Sequence, residues 1–152
     1  MKAIYYLRVA LVSIEVLVVL IGFLSFYFFG SKIVAFIESF KPNDKALEWV
    51  IAYPLGLMVW ILKDGVSVLF PDPQNAKILH QWHGYWRLKV HFNVGIAYGL
   101  VASFICLIIW LKGGVSNAKE LYIFLISASV LSVSAFSFYL ANIKIKEILV
   151  VR

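Results

Sequence analysis

Four long runs of apolar residues dominate the pattern of hydrophobic and polar positions along this chain. They cover residues 9–29, 47–70, 92–111 and 121–143. A helix needs about 20 apolar residues to cross ~30 Å of hydrocarbon, and three of the four runs reach this length without interruption. The pattern predicts an all-α integral membrane protein, a single domain over 1–152, with four transmembrane helices and short amphipathic interfacial helices.

The second run differs from the others because polar and helix-breaking residues interrupt it. Pro54 and Gly56 lie near its middle, and Lys63 and Asp64 lie near its end. It either crosses the membrane as a short, bent helix whose Lys63 reaches the interface, or it enters the membrane and returns on the same side. The sequence leaves both alternatives open.

Composition and charge agree with a membrane protein and predict its orientation. Hydrophobic residues make up 62% of the chain and charged residues 14%, against about 25% charged in a typical soluble domain. Nine of the 14 lysines and arginines fall on the side of the N-terminus, the 71–91 loop and the C-terminus. Because such charge concentrates on the cytoplasmic side, we expect both termini there. This face suits anionic membrane lipids, and we expect no direct contact with nucleic acid.

Two segments between the runs have the periodicity of amphipathic helices. Residues 31–40 carry apolar side chains at helical spacing, so they either lie on the outer membrane surface or extend the first span. Residues 71–91 form the second segment. Its apolar face is Ile78, Leu79, Trp82, Tyr85, Trp86 and Val90, and its polar face is His80, His83, Arg87 and His91.

The 71–91 segment allows three interpretations. Tryptophan and tyrosine are typical of helices that lie at the membrane interface. The same residue types dominate protein interfaces, so this segment is a candidate surface for a cytoplasmic effector protein. Its binding residues would be His80, Trp82, His83, Trp86, Arg87 and Lys89. A metal site is the weakest interpretation, because no carboxylate or thiolate joins His80 and His83, and we predict none.

Glu15 is the one acidic residue inside the first run. An ionised carboxylate in the hydrocarbon is costly, and it normally faces protein or water. Glu15 is therefore a candidate intramembrane site for a proton or a cation. The alternative is a carboxyl group near the inner membrane boundary that is neutral or hydrogen-bonded to Ser13, Asn93 or a basic residue of a neighbouring subunit.

Small residues recur on the third and fourth runs at spacings that let helices approach closely. The stripes are Gly95, Gly99 and Ser103 on the third run and Ala128, Ser132 and Ala135 on the fourth. Four helices with so little mass outside the membrane bury little surface within one chain, so we expect some of these stripes to form a homo-oligomer. The serines of the fourth run also allow a serine-lined pore, although such hydroxyls commonly bond the backbone.

The chain carries no pattern of a catalytic or cofactor site, and we expect neither an enzyme nor a bound cofactor. Cys106 is the single cysteine, which excludes a disulfide relay that needs cysteine pairs. A membrane-embedded haem needs ligands inside helices, whereas the three histidines fall in a loop or at the edge of a span. No nucleophile elbow or phosphate-binding glycine loop occurs.

Two short motifs resemble the small multidrug-resistance transporters, which are four-span proteins with an essential first-span glutamate. The motifs are Ile-Glu-Val at 14–16 and Gly-Ile-Ala-Tyr at 95–98. The resemblance implies that Glu15 carries transport. The chain departs from that family at Val101, where the family has a tryptophan, and in its longer loops.

The size, the four spans, the cytoplasmic termini and the 70–89 loop resemble the small membrane subunit of Kiwa-type bacterial anti-phage defence systems. The residues of that loop are Phe70, Pro71, Trp82, Tyr85, Trp86, Arg87, Leu88 and Lys89. The resemblance implies an oligomeric sensor in the bacterial inner membrane that recruits or restrains a soluble effector. Our first prediction is therefore a non-enzymatic sensor or scaffold for a cytoplasmic partner, and the alternative is a proton-coupled small transporter or ion channel that uses Glu15.

The charge distribution makes a direct prediction about topology. In a Cys106→Ser background, Asn43→Cys and Asn117→Cys should react with a membrane-impermeant maleimide in intact cells, because both lie on the side with fewer basic residues. Gln74→Cys should react only after permeabilisation. Labelling of Gln74→Cys in intact cells would contradict the predicted orientation and remove the cytoplasmic-partner hypothesis.

Overall fold

Five helices are defined within the part of the chain that the computed structural model describes, which is residues 2–40, 44–71, 79, 81–82 and 84–150. They are α1 (Lys2–Leu11), α2 (Ile14–Phe40), α3 (Asp44–Leu69), α4 (Tyr85–Leu111) and α5 (Ala118–Val150). These ranges contain no strand. Helices α2 to α5 are each long and apolar enough to cross a membrane, so the prediction of an all-α integral membrane protein is confirmed.

Helices α3, α4 and α5 pack against one another and form the core of the bundle. Its fully buried side chains include Ile61 of α3 and Leu131 of α5. Helix α2 packs mainly against α5, and α1 packs against α4. The most apolar stretch of α2 is 11% buried, whereas that of α5 is 44% buried. Helix α2 is therefore the most exposed of the four long helices.

Contacts between side chains fix the directions of the helices. Glu15 of α2 contacts Ser134 of α5, and Gly22, further along α2, contacts Tyr122, which comes earlier in α5. Helices α2 and α5 are therefore antiparallel. Helices α3 and α5 share a hydroxyl contact and an aromatic contact, and the aromatic contact lies further along both helices. These two helices are therefore parallel. Helix α4 is antiparallel to α5. The four long helices therefore alternate in direction along the chain.

The start of the first span differs from the predicted 9–29 range. Helix α1 ends at Leu11 and α2 begins at Ile14. Ser13 caps the new helix, because the Val16 N–H donates to Ser13 Oγ at 3.4 Å. The apolar pattern did not indicate this break, since one serine in a hydrophobic run barely changes the period. At the other end, α2 continues through 31–40, so that segment extends the span.

Helix α3 resolves the two alternatives left for the second run. It is one continuous helix of 26 residues, with Pro54 in its interior. At 1.5 Å per residue it is about 39 Å long, which is enough to cross a membrane rather than enter and return. Pro54 is buried against the bundle. Neighbouring helices commonly let proline remain inside a membrane helix.

The described part of the 71–91 segment belongs mainly to a long helix. Residues 72–78, His80 and His83 lie outside the described residues. Helix α4 begins at Tyr85, so 85–91 forms the first turns of the third span rather than a separate interfacial helix. Tyr85 is buried, and its hydroxyl donates to the Val68 carbonyl of α3 at 2.8 Å. Leu79, Tyr85 and Val90 of the predicted apolar face are therefore packed against protein, whereas Trp86 is partly exposed.

Gly99 allows a direct test of the packing of α4 between α3 and α5. A β-carbon at Gly99 would lie 3.3 Å from Met58 Sδ and 3.7 Å from Leu131 Cδ2. Gly99→Leu should therefore lower the free energy of unfolding by about 1–3 kcal/mol or prevent folding. Thermal unfolding in mild detergent, followed by circular dichroism, measures the change.

Leu100→Ala is the matched control for Gly99→Leu, because Leu100 lies on the same helix and is 52% exposed. It should move the unfolding midpoint far less. Equal effects of the two substitutions would show that Gly99 does not limit the packing. A folded Gly99→Leu protein with a smaller mass in native mass spectrometry would instead assign Gly99 to a contact between subunits.

Candidate functional site

Glu15 lies in the first turn of α2 and is enclosed by three helices. Its side chain is 6% exposed. Ser134 of α5 donates its hydroxyl to Glu15 Oε1 at 3.0 Å. Gly95 of α4 faces the same oxygen, because a β-carbon there would lie 3.6 Å from it. The carboxyl group is thus held between α2, α4 and α5.

The position of Gly95 along α4 gives the depth of this carboxyl group. Gly95 follows the first residue of α4, Tyr85, by ten positions, which corresponds to about 15 Å of helix. About 24 Å of α4 remains beyond it, up to Leu111. The apolar run of α4 begins only at Phe92, however, and Gly95 is three positions, or about 4.5 Å, beyond it. Glu15 therefore lies just inside the apolar length of the bundle, near the end that carries Arg87 and His91.

The electrostatic surroundings of Glu15 favour a negative charge only in part. The first turn of α2 contributes the positive end of the helix dipole, and a hydrogen bond to a charged group contributes about 1.5–3 kcal/mol. Among the described residues, however, the one salt bridge joins Lys144 and Glu147, and no basic side chain pairs with Glu15. Because burying a charge without a partner costs several kcal/mol, a carboxyl group kept at this position is a candidate functional group.

A cavity of about 320 Å³ lies beside the carboxyl group, where α1 gives way to α2. Val12 and Ser13, at the break between these helices, form part of its wall. His91 of α4 and Ser137 of α5 add polar groups, and Phe92 adds an apolar surface. The cavity is large enough for several water molecules or a small ligand. It gives Glu15 a space in which an exchangeable ion can be bound.

Helix α1 forms one side of this cavity because aromatic contacts hold it against α4. The Tyr98 hydroxyl donates to the Ala10 carbonyl at 2.9 Å, which attaches the last turn of α1. The Tyr5 ring lies 5.0 Å from the Trp86 ring and 6.4 Å from the His91 ring. Val9, between these contacts, is buried and lines the cavity.

The partner of Glu15 is not one of the residues proposed from the sequence. Ser13 caps α2, and Asn93 is exposed on α4. The hydrogen bond comes from Ser134, which the sequence indicated only as a member of a serine-rich run. One signal was available, because Ser127 and Ser134 are two helical turns apart and share a face. Both are buried.

The structure describes four of the six residues predicted to form a surface for a cytoplasmic partner. His80 and His83 lie outside the described residues. Trp82 is half-buried and packs against the core, and the Lys89 ammonium lies 4.6 Å from the centre of the Tyr85 ring. Arg87 is exposed, and Trp86 is 38% exposed. Of the described residues in the predicted binding set, Arg87 and part of Trp86 are thus exposed at the surface.

The two small-residue stripes lie largely in contacts within the chain. Gly95 and Gly99 face side chains of α3 and α5, and Ser103 is buried on the same helix. On α5, Ala135 is buried, Ala128 is half-buried, and the Ser132 hydroxyl donates to the Ala128 carbonyl at 2.8 Å. These contacts account for close packing inside one bundle, and the homo-oligomer stays a prediction.

The chain was compared with known protein families, curated proteins and solved structures. No family model matches the chain, and comparison with curated proteins and with solved structures gave no match. Within the described residues, no three His, Cys, Asp or Glu side chains come together in a group that could bind a metal ion.

Proposed function

We propose that this chain is a small membrane protein that binds a proton or a monovalent cation at Glu15 and moves it, as a proton-coupled transporter or an ion channel. One observation carries the proposal. Glu15 is 6% exposed, has no basic partner among the described residues, and lies at the wall of a cavity. Ionisable residues kept inside a membrane protein generally mark an ion or proton pathway.

The break between α1 and α2 supports the same proposal. Non-helical backbone at membrane depth is tolerated where it is buried in protein or lines a water-filled cavity, and residues 12–13 line the cavity beside Glu15. Transporters commonly place their ion sites at such interrupted helices. With both termini on the cytoplasmic side, as predicted from the charge distribution, His91 and the cavity would face the cytoplasmic half of the membrane. The membrane would be the bacterial inner membrane, as the Kiwa-type resemblance implies.

The test is ion flux into liposomes that contain the purified protein. With an imposed gradient of H⁺, Na⁺ or K⁺, the wild-type protein should raise the flux of at least one of these ions above that of protein-free liposomes. Glu15→Gln should reduce this flux to the protein-free level, because the amide cannot exchange a proton or bind a cation as a carboxylate does. Dicyclohexylcarbodiimide should block the wild-type protein and leave an adduct at Glu15 in mass spectrometry.

Glu38→Gln is the matched control, because Glu38 is an exposed carboxyl group on the same helix. It should leave flux and carbodiimide labelling unchanged. Circular dichroism and gel filtration establish that both variants are folded. The proposal would be overturned if liposomes with the wild-type protein showed no flux of any of the three ions above the protein-free level. Full flux through Glu15→Gln would overturn it as well.

A second candidate function is the sensor or scaffold that recruits a cytoplasmic effector protein, acts as a homo-oligomer and serves anti-phage defence. One observation favours it. Arg87 is exposed beside Trp86, and Trp86 is 38% exposed at the beginning of α4. Arginine and tryptophan are the residue types that contribute most to protein interfaces. The half-buried position of Trp82 makes this surface smaller than the six-residue surface predicted from the sequence.

Charge reversal at Arg87 tests the scaffold function. Arg87→Glu should abolish co-purification of a soluble protein from the native cells, because it reverses charge where a partner would bind. Membrane insertion and the size of the membrane protein's own oligomer should stay unchanged. Lys146→Glu is the control, since Lys146 is an exposed basic residue at the same end of the bundle. Equal co-purification with the wild-type protein, Arg87→Glu and Lys146→Glu would count against the scaffold function. Loss of membrane yield in Trp86→Ala alone would identify Trp86 as a structural contact of α1.

A further inference from the structure

A second concave surface lies between α2 and α5, two to three turns beyond Glu15. It is a groove of about 290 Å³. Its apolar walls are formed by Val19, Phe23, Phe26, Tyr122, Ile123 and Ile126. Phe23 is 67% exposed and Ile123 is 46% exposed, so the groove opens to the surroundings of the bundle rather than to its interior.

The groove exists because α2 and α5 approach closely at Gly22. A β-carbon at Gly22 would lie 2.6 Å from Ile126 Cδ1. The Tyr122 hydroxyl donates to the Gly22 carbonyl at 2.9 Å, and the Phe26 and Tyr122 rings lie 5.2 Å apart. Large side chains on both sides of this contact form the walls. Since the Tyr122 hydroxyl already donates its proton to the backbone, it offers no free hydrogen-bond donor to an occupant.

Lys119 is the one charged residue that lines the groove. It lies near the beginning of α5, one turn from Tyr122, and is exposed. The neighbouring Glu120 carboxylate accepts the Ser116 N–H at 2.9 Å, which occupies it at the helix cap. Within the described residues Lys119 has no carboxylate partner. An otherwise apolar groove thus has one positive charge, which lacks a carboxylate partner among the described residues and lies close to the end of a membrane-spanning helix.

We propose that this groove binds an anionic phospholipid, with an acyl chain along the apolar walls and the phosphate group at Lys119. This site is separate from Glu15 and does not depend on the proposed transport function. An acyl chain needs no hydrogen-bonding partner, which matches apolar walls whose one hydroxyl proton is already donated to the backbone. The ammonium group supplies the complementary charge for the phosphate. A polar solute would leave its hydrogen-bonding groups unpaired in this groove.

Native mass spectrometry of protein released from nanodiscs tests the site. The nanodiscs contain equal amounts of phosphatidylglycerol and phosphatidylcholine. The wild-type protein should retain phosphatidylglycerol in about fivefold preference over phosphatidylcholine, and Lys119→Gln should remove that preference. Lys112→Gln is the matched control, because Lys112 is an exposed lysine in the turn before α5 and does not line the groove. It should retain the preference.

A second pair of variants tests the acyl-chain part of the site. Val19→Trp should fill the groove and lower retention of both lipids, whereas Leu20→Trp, next to it and outside the groove, should not. Equal retention of the two lipids by the wild-type protein, or the same loss in Lys112→Gln as in Lys119→Gln, would overturn the proposal. A wild-type dimer that Val19→Trp converts to a monomer would assign the groove to a second copy of the chain and overturn it as well. Glu15→Gln should retain the lipid, which separates this result from the transport test.

Discussion

At Gly95, α4 approaches α5 so closely that a β-carbon would lie 2.7 Å from the Phe138 ring. A side chain at this position would push the two helices apart, and the α4–α5 contact is central to the three-helix core. The same glycine faces Glu15 Oε1, so the space that holds the carboxyl group also depends on the missing side chain. The packing of the bundle and the geometry of the Glu15 site therefore follow from one close approach of two helices.

The interactions that stabilise a helical bundle in lipid do not explain why Glu15 is buried. Apolar burial gives helices little advantage there, because the lipid tails are as apolar as the side chains, and close contacts between small residues stabilise the core instead. Gly99, Ala102 and Ala135 provide such contacts without any charged group. A buried carboxyl group adds a desolvation cost, and Ser134 recovers a part of it. The cost is reasonable where the carboxyl group has a chemical role.

The spans were predictable, whereas the surroundings of Glu15 were not, for a physical reason. Span number depends on the length of apolar runs, which the sequence displays directly. The Ser134–Glu15 contact joins residues 119 positions apart, and lipid-facing and protein-facing sides of a membrane helix are both apolar, so hydrophobic periodicity does not distinguish them. Ser129, for example, is exposed and bonds the backbone of its own helix, whereas Ser134 is buried and bonds Glu15. The break before α2 depends on one serine cap, which leaves the apolar pattern unchanged.

The Glu15 site lies where the most exposed long helix meets the core. Two side-chain hydrogen bonds attach α2 to α5, from Ser134 to Glu15 and from Tyr122 to the Gly22 carbonyl. Glu15 and Gly22 are seven residues apart and so share a helix face. Neutralising Glu15 changes the first of these contacts, whereas the packing of α3, α4 and α5 has its own buried side chains. An ion bound at Glu15, as we propose, would therefore act on the position of α2 and leave the core intact, which is the arrangement that a two-state coupling element requires.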